Sequence, residues 1–322
     1  HISGKTIIIA FISEAWPMKK PVYIKKDGRE KGAFRRIGSA DYLCTNEDID
    51  LIYQLRSDIP YEDSISLRAS WNDIDEEAIE EYRSLRKKIA PESKELLFTD
   101  QELLESLGVL ENHNGKLTPT MGGMLLFGSK AALRRTMPMS SRVDYILAEG
   151  TEWVEDPSRR FHAIEFREPL IFLINRLHIQ IMYDLPKGFY LKPGSLQRTD
   201  IPLIPGNVIR EALANTLMHR DYRVSQPTQI IRYANRLEFR NAGYSLKPIK
   251  KLGTPGSLTR NERIAATFLD LHIGETKGTG IRAMKTWMKE AGLTTPPIFE
   301  SSRESNDFNL ILLPHHLMDK ED

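Results

Sequence analysis

The chain has 322 residues, 40% of them hydrophobic and 28% charged, with a formal net charge of +1 and one cysteine, Cys44. Such a length accommodates two or three domains with cores of their own; no apolar run approaches the ~20 residues of a bilayer span, and a lone cysteine excludes an intramolecular disulfide or a zinc site built on paired cysteines. The composition is that of a soluble, cytoplasmic protein, residues 1–6 lack a secretory leader pattern, and near-neutral charge means that nucleic-acid binding must rest on local clustering.

Residues 5–13 read as a β-branched, apolar strand whose abrupt start suggests a longer domain cut short. Residues 21–25 and 33–37 read as short strands about an Asp27-Gly28 turn. Helical spacing predicts helices over 46–55 and 73–88. The second has Asp75, Glu76 and Glu77 in its first turn and Arg86, Lys87 and Lys88 in its last, an order that suits the helix dipole. Residues 99–128 run helix, Gly108 stop, Asn114-Gly115 turn and an apolar stretch at 124–127, the order of a winged-helix-like unit, with a plain helical linker as the equal alternative. Val143–Leu147 reads as a strand and 164–183 as a long buried helix. Residues 185–204, with Pro186, Gly188, Pro193, Gly194 and Pro202, read as a loop that marks a domain boundary. No repeat of roughly 20–50 residues is visible, which argues against a solenoid.

The chemistry concentrates on the segment Gly206–His219. Val208, Ile209, Ala212, Leu213 and Leu217 mark one helix face as core, and Glu211, Asn215 and His219, four residues apart, form the opposite stripe. A carboxylate and a carboxamide one turn apart suit a magnesium and water site, with Asn215 offering a neutral oxygen and Glu211 orienting and deprotonating water. The alternative is a solvated helix face. After the helix come His219-Arg220-Asp221-Tyr222, strands at 229–233 and 237–240, and Asn241-Ala242-Gly243. Gly278-Thr279-Gly280-Ile281 then opens a helix at 281–291, where glycines allow backbone N–H groups to approach phosphates.

In this order, Arg210-Glu211-Ala212-Leu213-Ala214-Asn215, His219-Arg220-Asp221-Tyr222, Asn241-Ala242-Gly243, Arg260-Asn261 and Lys277-Gly278-Thr279-Gly280-Ile281 resemble the C-terminal ATPase-like domain of RecG-like transcriptional regulators. That domain is a divergent relative of the GHKL fold of gyrase and histidine kinases, and the resemblance covers about residues 186–314. It implies ATP and Mg2+ as cofactors, Glu211 as general base and Asn215 as magnesium ligand. It also implies Asn241 and Gly243 at the adenine pocket, Gly278, Thr279 and Gly280 in a phosphate-binding lid, and His219 either at the phosphates or capping its helix. Two departures matter: Asn241 stands where GHKL ATPases usually carry Asp, and Ala242 where the family commonly has Pro. An Asn accepts a hydrogen bond without the charge, so weaker adenine binding is expected.

Residues 19–36 carry Lys19, Lys20, Lys25, Lys26, Arg29, Lys31, Arg35 and Arg36 against only Asp27 and Glu30, with Tyr23 and Phe34 available for stacking. Lys20-Pro21-Val22-Tyr23-Ile24-Lys25 and Ala33-Phe34-Arg35-Arg36-Ile37-Gly38-Ser39 resemble the second half of the AlbA-like domain shared with Schlafen proteins, over about residues 5–55. The resemblance implies nucleic-acid contact, although the family's opening segment is absent. Leu107-Gly108-Val109-Leu110 and residues 118–128 resemble the family's connecting segment.

Other motifs carry less. Gly4-Lys5-Thr6 lacks the upstream glycine of a P-loop, His219-Arg220-Asp221 lacks the rest of a kinase, and His315-His316 has no third metal ligand. The expectation is an α+β multi-domain protein: a partial AlbA-like domain at 1–55, a helical or winged-helix-like segment at 56–140, and a GHKL-like ATP-binding domain at 141–322. It would be a DNA-binding transcriptional regulator that uses nucleotide as a conformational switch, with slow or no hydrolysis. Its partners would be DNA and ATP, with a homo-oligomer left open and no membrane. A nucleotide-free interaction or dimerisation module is the alternative, and a Schlafen-type RNA nuclease, resting on Asp41, Glu47 and Asp48, the third.

Overall fold

The computed structural model describes residues 15, 19–37, 40–54, 59–153, 162–191, 198–274 and 278–314. The chain divides into two compact units, residues 1–60 and 61–322. The expected strand at 5–13, the Gly4-Lys5-Thr6 and His315-His316 motifs and Lys277 lie outside the described residues.

The first unit contains α1 (Gly28–Gly32), β1 (Phe34–Ile37), β2 (Ala40–Leu43) and α2 (Asn46–Gln54). β1 and β2 form an antiparallel hairpin that sets Phe34 opposite Leu43 and Arg36 opposite Asp41. Ala33, Cys44 and Ile49 make its small core. Asp48 and Thr45 cap the start of α2 reciprocally, each side chain accepting the other's backbone N–H, at 2.9 and 3.2 Å. The strand expected at 21–25 is reduced to one bridge, Tyr23 to Ala33. The Asp27-Gly28 turn runs directly into α1, whose Arg-Glu-Lys run has good helix propensity.

The second unit begins with four helices and a hairpin: α3 (Glu76–Ile89), α4 (Asp100–Ser106), β3 (Leu110–His113), β4 (Lys116–Pro119), α5 (Met121–Phe127) and α6 (Lys130–Thr136). Every one of these helices is started by the side chain just before it: Asp75, Thr99, Thr120 and Ser129 accept backbone N–H bonds from the first turns. Asn114 and Gly115, with φ of 53° and 77°, close β3 onto β4 as a primed turn.

The remaining elements are β5 (Val143–Leu147), β6 (His162–Phe166), α7 (Leu170–Asp184), β7 (Lys187–Leu191), β8 (Arg198–Pro202), α8 (Gly206–His219), β9 (Thr228–Arg232), β10 (Leu237–Ala242), α9 (Glu262–Asp270), α10 (Gly280–Glu290), β11 (Ile298–Ser302) and β12 (Asp307–Leu312). Among the described residues, six strands form one sheet in the order β11-β12-β10-β9-β5-β6, antiparallel except where β5 runs parallel to β9. Two expectations are corrected. The helix expected over 164–183 starts only after Pro169, because 162–166 pairs along β5 as a strand. The loop expected over 185–204 contains the hairpin β7–β8, with Pro202 tolerated at its outer end.

Alternation along the strands separates the two faces of the sheet. Tyr145, Ile230, Phe239 and Leu310 join the helices in one continuous core. That core also takes in Tyr82, Leu103 and Phe127 of the expected connecting segment together with Leu173 and Leu213 of the C-terminal part. The other face carries the small cluster Ile146, Ala148, Ile231 and Tyr233 and a buried carboxylate, Glu238, held by Arg236 at 2.5 Å and Arg240 at 2.7 Å. No helix of the described residues is long and apolar enough to cross a membrane.

A cap from far away in sequence completes α9. Asn261, at the N-cap position, makes no side-chain cap bond. Instead Glu62, fully buried, accepts the backbone N–H groups of Arg263 at 2.7 Å and Ile264 at 3.1 Å. Burial pushes the Glu62 carboxyl up to about 7 against the pull of those two N–H groups. An acid whose folded pKa is raised contributes most stability at low pH and progressively less as the pH rises through the folded value. Glu62→Gln removes the titration. Chemical denaturation from pH 4 to 8 is expected to show wild-type stability falling relative to the variant up to about pH 7 and parallel above it; a pH-independent difference would mean that folding leaves the Glu62 pKa unchanged.

Candidate functional site

The site is organised around α8, which packs between α7 and α10 and over β10. Val208, Ile209, Ala212, Leu213 and Leu217 are fully buried, so the apolar spacing read from the sequence is the core face. A helix leaves its last carbonyls without intrahelical partners, and here three side chains take them. Thr216 O accepts from the Asn241 amide at 2.6 Å, Leu217 O from the Tyr222 hydroxyl at 2.8 Å, and Met218 O from the Asn261 amide at 2.9 Å. Asn261 also donates to Arg220 O at 2.8 Å.

Arg220 is wholly buried beneath this clamp. Its guanidinium donates to Thr228 Oγ1 at 2.6 Å, to Asn241 Oδ1 at 3.4 Å and to the carbonyl of Gln226, and sits 5.4 Å from the Tyr222 ring centre. Asp221 beside it is clasped by Arg223 through two 2.8 Å bonds. The His219-Arg220-Asp221-Tyr222 block is therefore mostly architecture. Asn241 belongs to the same network: its oxygen accepts from Thr228 Oγ1 at 3.0 Å as well as from Arg220. The acceptor that the sequence offered to adenine is engaged inside the protein. Gly243 follows at the end of β10, and its N–H donates to Asn306 O at 2.7 Å.

The polar stripe of α8 faces a cavity of about 110 Å³, which Glu211, Asn215 and His219 line together with Asn241, Gly243, Gly278 and Gly280. Thr279 is exposed at the N-cap of α10 and does not line it. Glu211 is only 7% exposed, so the alternative of a solvated helix face does not apply to it. The start of α10 lies across it so closely that a Cβ on Gly280 would overlap the carboxylate. The positive end of the α10 dipole thus meets a negative side chain. The Asn215 amide donates to Glu211 Oε1 at 2.7 Å and to Glu211 O at 2.8 Å. Its carbonyl oxygen has no hydrogen-bond partner among the described residues. His219 is half-buried, and burial, then the nearby Arg260 charge, pulls its pKa down to about 4. At neutral pH it is an uncharged imidazole, unsuited to neutralising a phosphate.

Residues that the sequence reading passed over close the cavity. Lys247 Nζ donates to the carbonyls of Thr254 at 2.8 Å, Pro255 at 3.2 Å and Gly256 at 2.7 Å. Gly278, at φ +76°, packs against two of the same carbonyls, where a side chain would collide. Arg260 donates to Tyr244 O at 2.6 Å with its guanidinium 4.9 Å from the Tyr244 ring centre; Arg303 stands 4.8 Å from the same ring. Gly278 was expected in the lid; of Lys247, Tyr244, Arg303 and Arg260, only Arg260 had a signal in the sequence, as part of the Arg260-Asn261 block. This volume is below the ~300–1,000 Å³ of ordinary small-molecule pockets. Among the described residues no group of three or more His, Cys, Asp or Glu is placed to hold a metal ion. A cation here would rest on Asn215 and Glu211 and draw its other oxygens from water or a ligand.

In the first unit, Lys19, Lys25, Lys26 and Lys31 are exposed and unpaired among the described residues, and Lys20 is half-buried. Three of the arginines are engaged locally: Arg29 with the Tyr53 hydroxyl and ring, Arg35 with Asp48 at 2.7 Å, and Arg36 with Asp41 at 2.9 Å. Of the carboxylates considered for a nuclease, Asp41 and Asp48 are thereby occupied, and the Glu47 side chain lies outside the described residues.

The clamp makes a testable demand on Asn261. Asn261→Ala strips the buried Arg220 carbonyl of its Asn261 donor, leaves the Met218 carbonyl only the longer bond from Thr259 Oγ1, and is expected to cost about 1–3 kcal/mol in urea unfolding. A loss below about 0.5 kcal/mol would show that the end of α8 does not need this cap.

Residues 225–312 match the family model "Putative ATP-dependent DNA helicase recG C-terminal", and residues 50–144 match a domain of unknown function (DUF8451). The first match covers β9 to β12 and begins after α8. The search of curated proteins returns no match. Among solved structures, the crystal structure of the DIP2311 protein from Corynebacterium diphtheriae is similar in fold, with a TM-score of 0.61 at 18% identity over 88% of this chain and 53% of that one. This chain therefore spans about half the length of that protein. The chain is an α+β protein whose C-terminal part is similar to the RecG-type ATPase-like domain.

Proposed function

We propose that residues 206–312 bind a nucleoside triphosphate with magnesium, and that the chain is a nucleotide-responsive, DNA-associated regulator. The observation that carries this reading is Asn215: its amide holds the Glu211 carboxylate one turn away, and its carbonyl oxygen is left for a ligand. That oxygen suits magnesium, which would neutralise phosphate charge. Glu211 is the group able to take a proton from water. It is bound by Asn215 and covered by the start of α10, which favours slow turnover or none.

A cavity of about 110 Å³ is too small for such a ligand. The loop at 245–258 and the Gly278–Gly280 segment must part to admit one, and a ligand that binds only the open arrangement shifts the population toward it. This supports a switch more than a fast enzyme. The small cavity and the engaged Asn241 also favour a second reading, a nucleotide-free interaction module. Calorimetric titration with ATP and magnesium separates the two. Asn215→Ala is expected to remove the magnesium dependence and weaken binding by at least about tenfold; a folded wild-type protein that binds no nucleotide leaves the interaction module standing.

For DNA, the exposed Lys19, Lys25, Lys26 and Lys31 support phosphate contact, while Arg29, Arg35 and Arg36 are partly spent within the fold. Replacing Lys25, Lys26 and Lys31 together by Ala is expected to flatten the plot of log affinity against log salt by about 2–3. An unchanged slope would remove this face from the DNA contact.

A further inference from the structure

We propose that the cavity beside α8 takes its ligand by the anionic phosphate end, through Arg260, and does not select the base. The inference rests on the nucleotide reading above and goes beyond it in naming what is recognised. Arg260 is half-buried, lines the cavity, and forms no ion pair with any described residue. Its hydrogen bond goes to the Tyr244 carbonyl and its flat face to the Tyr244 ring. Of the carboxylates around it, Asp221 attracts Arg260 from beyond ion-pair distance but gives its hydrogen bonds to Arg223, and Glu211 is held by Asn215 under α10. A partly buried cation with no anion in direct contact leaves room for one, and a guanidinium offers a planar fork that matches phosphate oxygens.

The other polar groups on the wall cannot substitute for it. His219 is an uncharged imidazole, and the Lys247 ammonium is already shared among three carbonyls. The base end is the reverse case. To tell adenine from guanine a site needs a free acceptor for the exocyclic amine, and the Asn241 oxygen is occupied by Thr228 and Arg220 while its amide supports the end of α8. Releasing that oxygen would uncouple the α8 clamp. The charge is thus available to a ligand and the base-reading acceptor is not.

The test is calorimetric titration of the whole chain with magnesium ATP, magnesium GTP and magnesium tripolyphosphate, for the wild type and for Arg260→Met and Arg260→Lys. ATP and GTP are expected to agree within about threefold, and tripolyphosphate to compete with both. Arg260→Met is expected to weaken all three by more than about tenfold. Should that variant fail to fold, Arg260→Lys, which keeps the charge and loses the fork, is expected to weaken all three together by at least about threefold. A preference for ATP over GTP above about thirtyfold, or full affinity in a folded Arg260 variant, overturns the proposal. Binding that depends on Asn215 but not on Arg260 defeats this inference alone. No binding by the wild type defeats the nucleotide reading and this inference with it.

Discussion

The end of α8 is the constraint on which the second unit turns. Three consecutive residues, Thr216, Leu217 and Met218, are buried at the end of the helix, and the carbonyl of each is met by a side-chain donor from a different place in the chain, that of Met218 also by Thr259. Asn241 comes from β10, Tyr222 from the turn after α8, and Asn261 from the start of α9. Their donations fix where the sheet, the turn and the next helix sit around α8, with the Arg220 guanidinium filling the space between. Each donor left unpaired would cost on the order of 1–3 kcal/mol, so the arrangement is all or nothing.

The cavity inherits its character from that clamp. The residues that shape its floor are bound into the framework, and what remains for a ligand is small: the Asn215 oxygen, the Arg260 guanidinium and the backbone around Gly278 and Gly280. Its lid is held by contacts of a different kind. Lys247 ties the 245–258 loop to its own carbonyls, at Thr254, Pro255 and Gly256, and not to the floor. A rigid floor under a weakly fastened cover favours opening at the loop over deformation of the helix.

Much of this organisation was legible because its causes are local. The apolar spacing of α8, the acid-to-base order of α3 and the Asn114-Gly115 turn are each decided within a few residues. The misread parts have causes that lie elsewhere. Residues 162–166 are a strand because β5 offers an edge, and the apolar run that continues into α7 hides the break at Pro169. The β7–β8 hairpin is rich in Pro and Gly, so its strands look like loop. The polar stripe of α8 left a solvated face open as an alternative for Glu211 because no periodicity within α8 can announce that Gly280 will cover it. Arg260 and Asn261 stood out as a pair, yet their opposite uses, one toward the cavity and one toward the helix end, follow only from tertiary placement.

The bond between Glu62 and the start of α9 joins residues about two hundred positions apart, and β5 must find β9 across an intervening hairpin and two helices. Contacts of such high order are entropically unfavourable to close before local structure has formed, and they tend to make folding slow. During synthesis the segment around Glu62 leaves the ribosome long before α9 exists, so its carboxyl spends that interval hydrated and ionised. It becomes a buried cap only when the last third of the chain arrives. Completion of the second unit is thus a late event of synthesis, tied to the arrival of the residues that also build the cavity.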